Sequence, residues 1–121
     1  MGIYGFKPQF EPLILNGTKF HTIRARRKYE DVPGNTMHLY VGLRTSFARL
    51  MARVPCIRVG SVLIPDPRVI RIDNARLDSE ARQRLAESDG FESWEQMVEF
   101  FRGRLPFEGK IYHWTPLIRE K

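Results

Sequence analysis

Apolar positions change their spacing twice along the chain. In FEPLILNG, Phe10, Leu13 and Ile14 fall on one face of a short helix, and Asn16-Gly17 supplies a C-terminal stop. A short helix ending at Gly17 is therefore predicted. FHTIRA, rich in aromatic and β-branched residues, reads as a strand, RRKYEDVPGN as a polar loop closed by a Pro-Gly turn, and TMHLYVG, residues 36–42, as a second strand. From Phe47 to Ile64 the apolar runs RLMARV, CIRV and SVLI are interrupted by Pro55 and Gly60, and VIRI follows the Pro65-Asp66-Pro67 turn. Three or four short strands fit there.

The spacing turns helical only in the last third. Leu77, Ala81 and Leu85 fall four apart behind an Asp78 N-cap, and the pattern stops at Asp89-Gly90, predicting a helix over roughly residues 79–87. Ser93 and Gln96 make an S-x-x-Q capping box for a second helix, whose apolar stripe is Trp94, Met97, Phe100 and Phe101. Gly103 to Phe107 break that stripe, and KIYHWTPL alternates as a closing strand. Many short strands with few helices predict an α+β fold, a small mixed sheet or barrel with helices on its outside. No repeat or linker divides the chain, so residues 1–121 are expected to form one domain.

Composition supports a folded core: 42% of the 121 residues are apolar and 12% aromatic. Charge adds more. Residues 1–58 hold 10 Lys and Arg against 3 Asp and Glu, and residues 59–121 hold 10 against 11, so the net +6 comes entirely from the first half. A localised basic excess favours an anionic partner, RNA or single-stranded DNA before a membrane, since no segment is a long basic amphipathic helix. Cys56 stands alone and His21, His38 and His113 lack metal-ligand spacing, so no disulfide, metal site or cofactor is expected. The segment MGIYGFKPQF has no signal-peptide pattern and no window comes near roughly 18 apolar residues, so a cytoplasmic protein is the expectation.

The densest chemistry lies in GTKFHTIRARRK, residues 17–28, where Lys19, Thr22 and Arg24 offer a base, a nucleophile and an anion stabiliser. A threonine hydroxyl attacks well only when a neighbour takes its proton, and a neutral lysine can do so. Arg24, Arg26 and Arg27 disfavour the charged form of Lys19, and burial would add to that. Strand geometry sets a condition. Side chains alternate, so Thr22 and Arg24 share a face that Lys19 reaches only if it precedes the strand, on a turn at Gly17-Thr18. The plain alternative is that Thr22 is a β-former on a strand whose arginines are solvated.

Taken with more of the chain, these residues acquire a resemblance. The segments FEPLILNGTKFHTIR, PGNTMHLYVGLRT, Cys56, DGFESWEQMVEFF and GKIYHW resemble the ASCH domain family in order and spacing, with G-x-K-x-x-T-I-R and D-G-F-x-S the best matched. The resemblance implies a small PUA-like β-barrel of about five or six strands with flanking helices. It also implies an association with RNA and modified nucleosides. In members that hydrolyse N4-acetylcytidine, the matching threonine is the nucleophile, the lysine its base and a glutamate the proton donor. Lys19 and Thr22 match residue by residue; by position Asp89 stands for the glutamate, a departure that shortens the reach. Asp89 is equally placed to be a helix terminator, and Arg24 to hold an acyl oxygen or form a structural ion pair.

Phe20, Tyr40 and Trp114 fall on predicted strands where a base could stack, though such rings also fill cores; Trp94, Met97, Phe101 and Cys56 are assigned to the core. Arg26, Arg27 and Arg44 could grip phosphates, which a free nucleoside lacks. Three functions therefore remain open: an amidohydrolase acting on N4-acetylcytidine-type substrates, a non-catalytic RNA-binding module, and a metal-independent ribonuclease.

Overall fold

The computed structural model of the chain describes residues 2–117, and its first strand, β1 (Gly2–Phe6), arises where the apolar pattern gives no signal. Two glycines dilute the alternation there, yet Tyr4 and Phe6 point into the core and β1 pairs in parallel with β3 (Thr36–Val41). Between them a 3-10 turn (Pro8–Phe10) leads into α1 (Glu11–Leu15), and β2 (His21–Ala25) follows. The helix stops where Asn16-Gly17 predicts. Gly17 adopts φ 86°, a left-handed value that an L side chain rarely tolerates, and the reversed chain returns Lys19 N–H to Leu13 C=O at 2.9 Å.

The runs after Phe47 do not break into short strands. They form β4 (Arg49–Asp66), one 18-residue strand that changes partners along its length. Its first part pairs with β3 as far as Pro55, and from Cys56 onward it pairs with β7 (Phe107–Trp114). Pro55 has no N–H to donate, and it sits at this hand-over, where a missing donor interrupts neither ladder. Gly60 marks a close approach: a Cβ there would lie 3.1 Å from Asp73 Oδ2, and the same carboxylate accepts Ser61 N–H at 2.9 Å. Both residues that read as breaks are thus accommodated inside one strand.

β5 (Val69–Ile72) and the two-residue β6 (Ala75–Arg76) extend the sheet beyond β4. α2 (Ser79–Ser88) and α3 (Trp94–Phe101) start as predicted, with the Asp78 side chain accepting Ala81 N–H and Ser93 accepting Gln96 N–H. The second cap departs slightly from a reciprocal box: Gln96 Oε1 accepts from Glu92 N–H, one residue before Ser93. Tyr4, Met37, Leu39, Ile64, Ile70, Met97, Ile111 and Trp114 make up much of a core in which each is at most 1% exposed.

The chain is α+β, and its described residues form seven strands, where about five or six were expected, and three α-helices. The sheet is not closed by hydrogen bonds. Among the described residues no ladder joins β1 to β2; instead Arg24 donates to Gly5 C=O at 2.7 Å and Arg27 to Ile3 C=O at 2.8 Å. Alternate carbonyls share one strand edge, so two guanidinium groups cover the edge of β1 that lacks a partner strand. Among the described residues no helix is long and apolar enough to cross a membrane.

Candidate active site

The gap between β1 and β2 opens a cavity of about 260 Å³, lined by residues far apart in sequence. Lys19, Thr22, Arg24 and Asp89 supply polar groups to its lining, as do Lys7 and Arg104. Phe6, Phe10, Phe91, Phe100 and Phe101 supply aromatic walls. Each polar group is brought there by a separate local device.

Lys19 lies two residues before β2, on the chain that leaves the Gly17 turn, and is 3% exposed. This is the position that the alternation of a strand requires if lysine and threonine are to share a site. Asp89 is the C-cap of α2, its N–H bonded to Leu85 C=O at 2.9 Å. Gly90 follows at φ 98°, and a Cβ there would stand 2.9 Å from Phe10 Cδ1. Asp89 therefore terminates the helix and also turns its carboxylate inward, at 5% exposure, whereas Glu87 and Glu92 on either side are exposed.

Lys19 Nζ donates to Asp89 Oδ1 at 2.5 Å and to Asp89 C=O at 2.8 Å. It thus neutralises both the carboxylate and the negative end of α2, a helix terminus where an acidic side chain alone is unfavourable. Burial pulls Lys19 below its usual range, partly opposed by Asp89, and Arg24 adds to the fall. Burial alone would raise Asp89, but Lys19, with His21 alongside, outweighs it and holds the carboxyl below its usual range. His21 Nε2 is 3.1 Å from Asp89 Oδ1 but makes no formed hydrogen bond with it.

Thr22 is 4% exposed, and its Oγ1 accepts from Arg24 Nε at 2.9 Å. Arg24 Cζ lies 4.8 Å from the centre of the Phe6 ring, and Lys19 Nζ 5.8 Å from the same centre. Burial, with Arg27 nearby, lowers the Arg24 guanidinium to about 10, so it keeps its charge at neutral pH. No hydrogen bond joins Lys19 to Thr22 among the described residues. Both line the same cavity.

The chain matches no protein-family model, no curated protein and no solved structure.

Of the residues expected to bind substrate, none lines this cavity. Trp114 is fully buried, its ring meeting Phe6 edge-on at 6.4 Å, so it is a core residue and offers no stacking face. Phe20 is half-buried beside His21, and Tyr40 is half-buried on β3. Arg26 pairs with Glu108 at 3.5 Å, Arg27 covers Tyr4 and the β1 edge, and Arg44 sits in the exposed loop after β3. The aromatic rings that line the cavity are five phenylalanines. One signal marks them: Phe100 and Phe101 are adjacent on one helix and cannot both face the core, and Phe100 is 41% exposed at the cavity. Among the described residues no three His, Cys, Asp or Glu side chains converge as metal ligands would.

Proposed function

We propose that the chain is an amidohydrolase that removes the acyl group from an N4-acetylcytidine-type base, in a free nucleoside or within RNA, as its ASCH-like motifs imply. The observation that carries this is the convergence of Lys19, Thr22, Arg24 and Asp89 on one aromatic-walled cavity. The walls suit a planar base, and stacking is worth about 1–3 kcal/mol per base. On this view the open β1/β2 edge is the seam of a barrel-like sheet.

The resting Lys19–Asp89 pair holds one proton too many on the lysine for it to act as a base. A proton passing from Nζ to Oδ1 gives a neutral amine and a protonated carboxyl, the form that a dry cavity filled by substrate favours over two buried charges. The amine then takes the Thr22 proton as Oγ1 attacks the acyl carbon, and Arg24 faces the oxyanion that develops. Asp89 protonates N4 as the C–N bond breaks, which restores the ion pair. Water releases the acyl group from Thr22, its proton passing through the same pair back to Oγ1.

Purified protein is expected to convert N4-acetylcytidine to cytidine and acetate, and Thr22→Ala to lower kcat/KM by at least about a hundredfold without loss of fold. Mass spectrometry of a single turnover should find an acyl group on Thr22. Wild-type protein that gives no cytidine, or a folded Thr22→Ala variant that turns over normally, would sink the assignment.

A further inference from the structure

The mouth of the cavity carries two cations that deacylation does not use. Lys7 follows β1, and Arg104 ends the 3-10 turn (Arg102–Arg104) that continues α3; both are exposed and both line the cavity. They stand over the same aromatic rim. Lys7 Nζ is 5.1 Å from the centre of Phe100, and Arg104 Cζ is 6.0 Å from Phe100, 4.9 Å from Phe101 and 5.5 Å from Phe107. Cation–π contacts hold such groups in place without neutralising them.

Their place at the aromatic cavity sets them apart from the other exposed cations, some of which are paired and others of which lie elsewhere. Arg26, Arg49, Arg84 and Arg102 each face a carboxylate, Glu108, Glu11, Glu80 and Glu99 respectively. Among the described residues Lys7 and Arg104 face none. The cavity lining thus holds four cations, Lys7, Lys19, Arg24 and Arg104, against one carboxylate, Asp89. Lys19 is matched by Asp89, and Arg24 is placed for the oxyanion. The two that remain equal the charge of a phosphate monoester, about −1.5 to −2 at neutral pH. A neutral nucleoside would leave both unanswered.

Size places the phosphate. The cavity of about 260 Å³ falls just below the roughly 300–1,000 Å³ of sites that enclose a drug-sized ligand. An acylated base occupies it, so the ribose and its substituents lie at the mouth.

We propose, as a step that rests on the amidohydrolase reading above, that Lys7 and Arg104 form a phosphate subsite and that the substrate is a phosphorylated nucleoside, either a mononucleotide or a nucleotide unit of an RNA strand. The full-length chain is tested in two ways. In calorimetry, cytidine 5′-monophosphate and a short cytidine-containing RNA are compared with cytidine. In turnover, the N4-acetylated forms of the same three are compared. At least one phosphorylated form is expected to bind and turn over about tenfold better than the nucleoside, a preference that falls with salt. Lys7→Met/Arg104→Met, which retains aliphatic contact with the rings, should bring the preference close to one. Arg102→Met, a neighbouring cation paired with Glu99, should leave it unchanged.

The monophosphate leading assigns the monoester, and the RNA leading assigns the strand; either supports the subsite. Equal binding of all three ligands overturns it, even if N4-acetylcytidine is hydrolysed. Phosphate-dependent binding lost in the double variant supports the subsite even if no acyl group is released, in which case it is the deacylation chemistry that fails.

Discussion

A buried carboxylate at a helix C-terminus is doubly unfavourable, so Asp89 is tolerable only because Lys19 is there, and the reverse holds equally. Removing one partner therefore strands the other. Asp89→Asn is expected to cost about 3–5 kcal/mol in urea denaturation, whereas Lys19→Met/Asp89→Leu, which removes both charges, should recover most of that. Additive losses in the double variant would show that the two groups do not act as a pair. Lys19, Thr22 and Arg24 were legible as candidates because a single turn at Gly17 brings them together over six residues. Asp89 was legible only by its place before a capped helix. Of the phenylalanine walls only the adjacency of Phe100 and Phe101 gave a signal, because periodicity marks a side chain as apolar without saying whether the space it faces is filled.

At the scale of elements, β2 and β7 lay His21 directly opposite His113, with ring centres 5.5 Å apart. Burial first, then His21 and Arg58, lowers His113 from 6.5 to about 4. The folded chain thus refuses a proton that the unfolded chain accepts. Stability from this group is complete above pH 6.5, falls as the pH drops toward about 4, and levels off below that. His113→Gln should flatten this part of the profile in denaturation measured at steps between pH 7 and 4.5; an unchanged slope would assign the acid sensitivity to other groups. The cross-strand pair depends on register, which no single segment displays. The same limit explains the element boundaries. The caps of α2 and α3 are local side-chain chemistry and could be placed from sequence, whereas β1 is held by its partner β3, and β4 continues through Pro55 because its partner changes there and through Gly60 because Asp73 approaches closely there.

For the molecule as a whole, what matters is how the unpaired edge of β1 avoids exposure. Among the described residues β1 and β2 are not bonded to each other, and the candidate site lies in the opening between them. Complete backbone pairing there would fill the opening; leaving it bare would invite pairing with another chain. Side chains resolve the conflict. Arg24 caps Gly5 C=O inside the site, and Arg27 caps Ile3 C=O while its guanidinium lies 4.4 Å from the centre of Tyr4. Nothing local reveals this, since Arg27 in a run of four cations reads as solvated or phosphate-binding until β1 is seen beside it. Arg27→Met keeps an aliphatic cover but removes the donor and the charge, and is expected to cost about 1 kcal/mol. The loss should be confined to the seam. Hydrogen exchange should then speed up about fivefold at the amides that pair β1 with β3, and not at all in β5, which β3 and β4 separate from that edge. Equal acceleration in both elements would mean that Arg27 supports the whole fold, and no acceleration in β1 would mean that the edge is held without it.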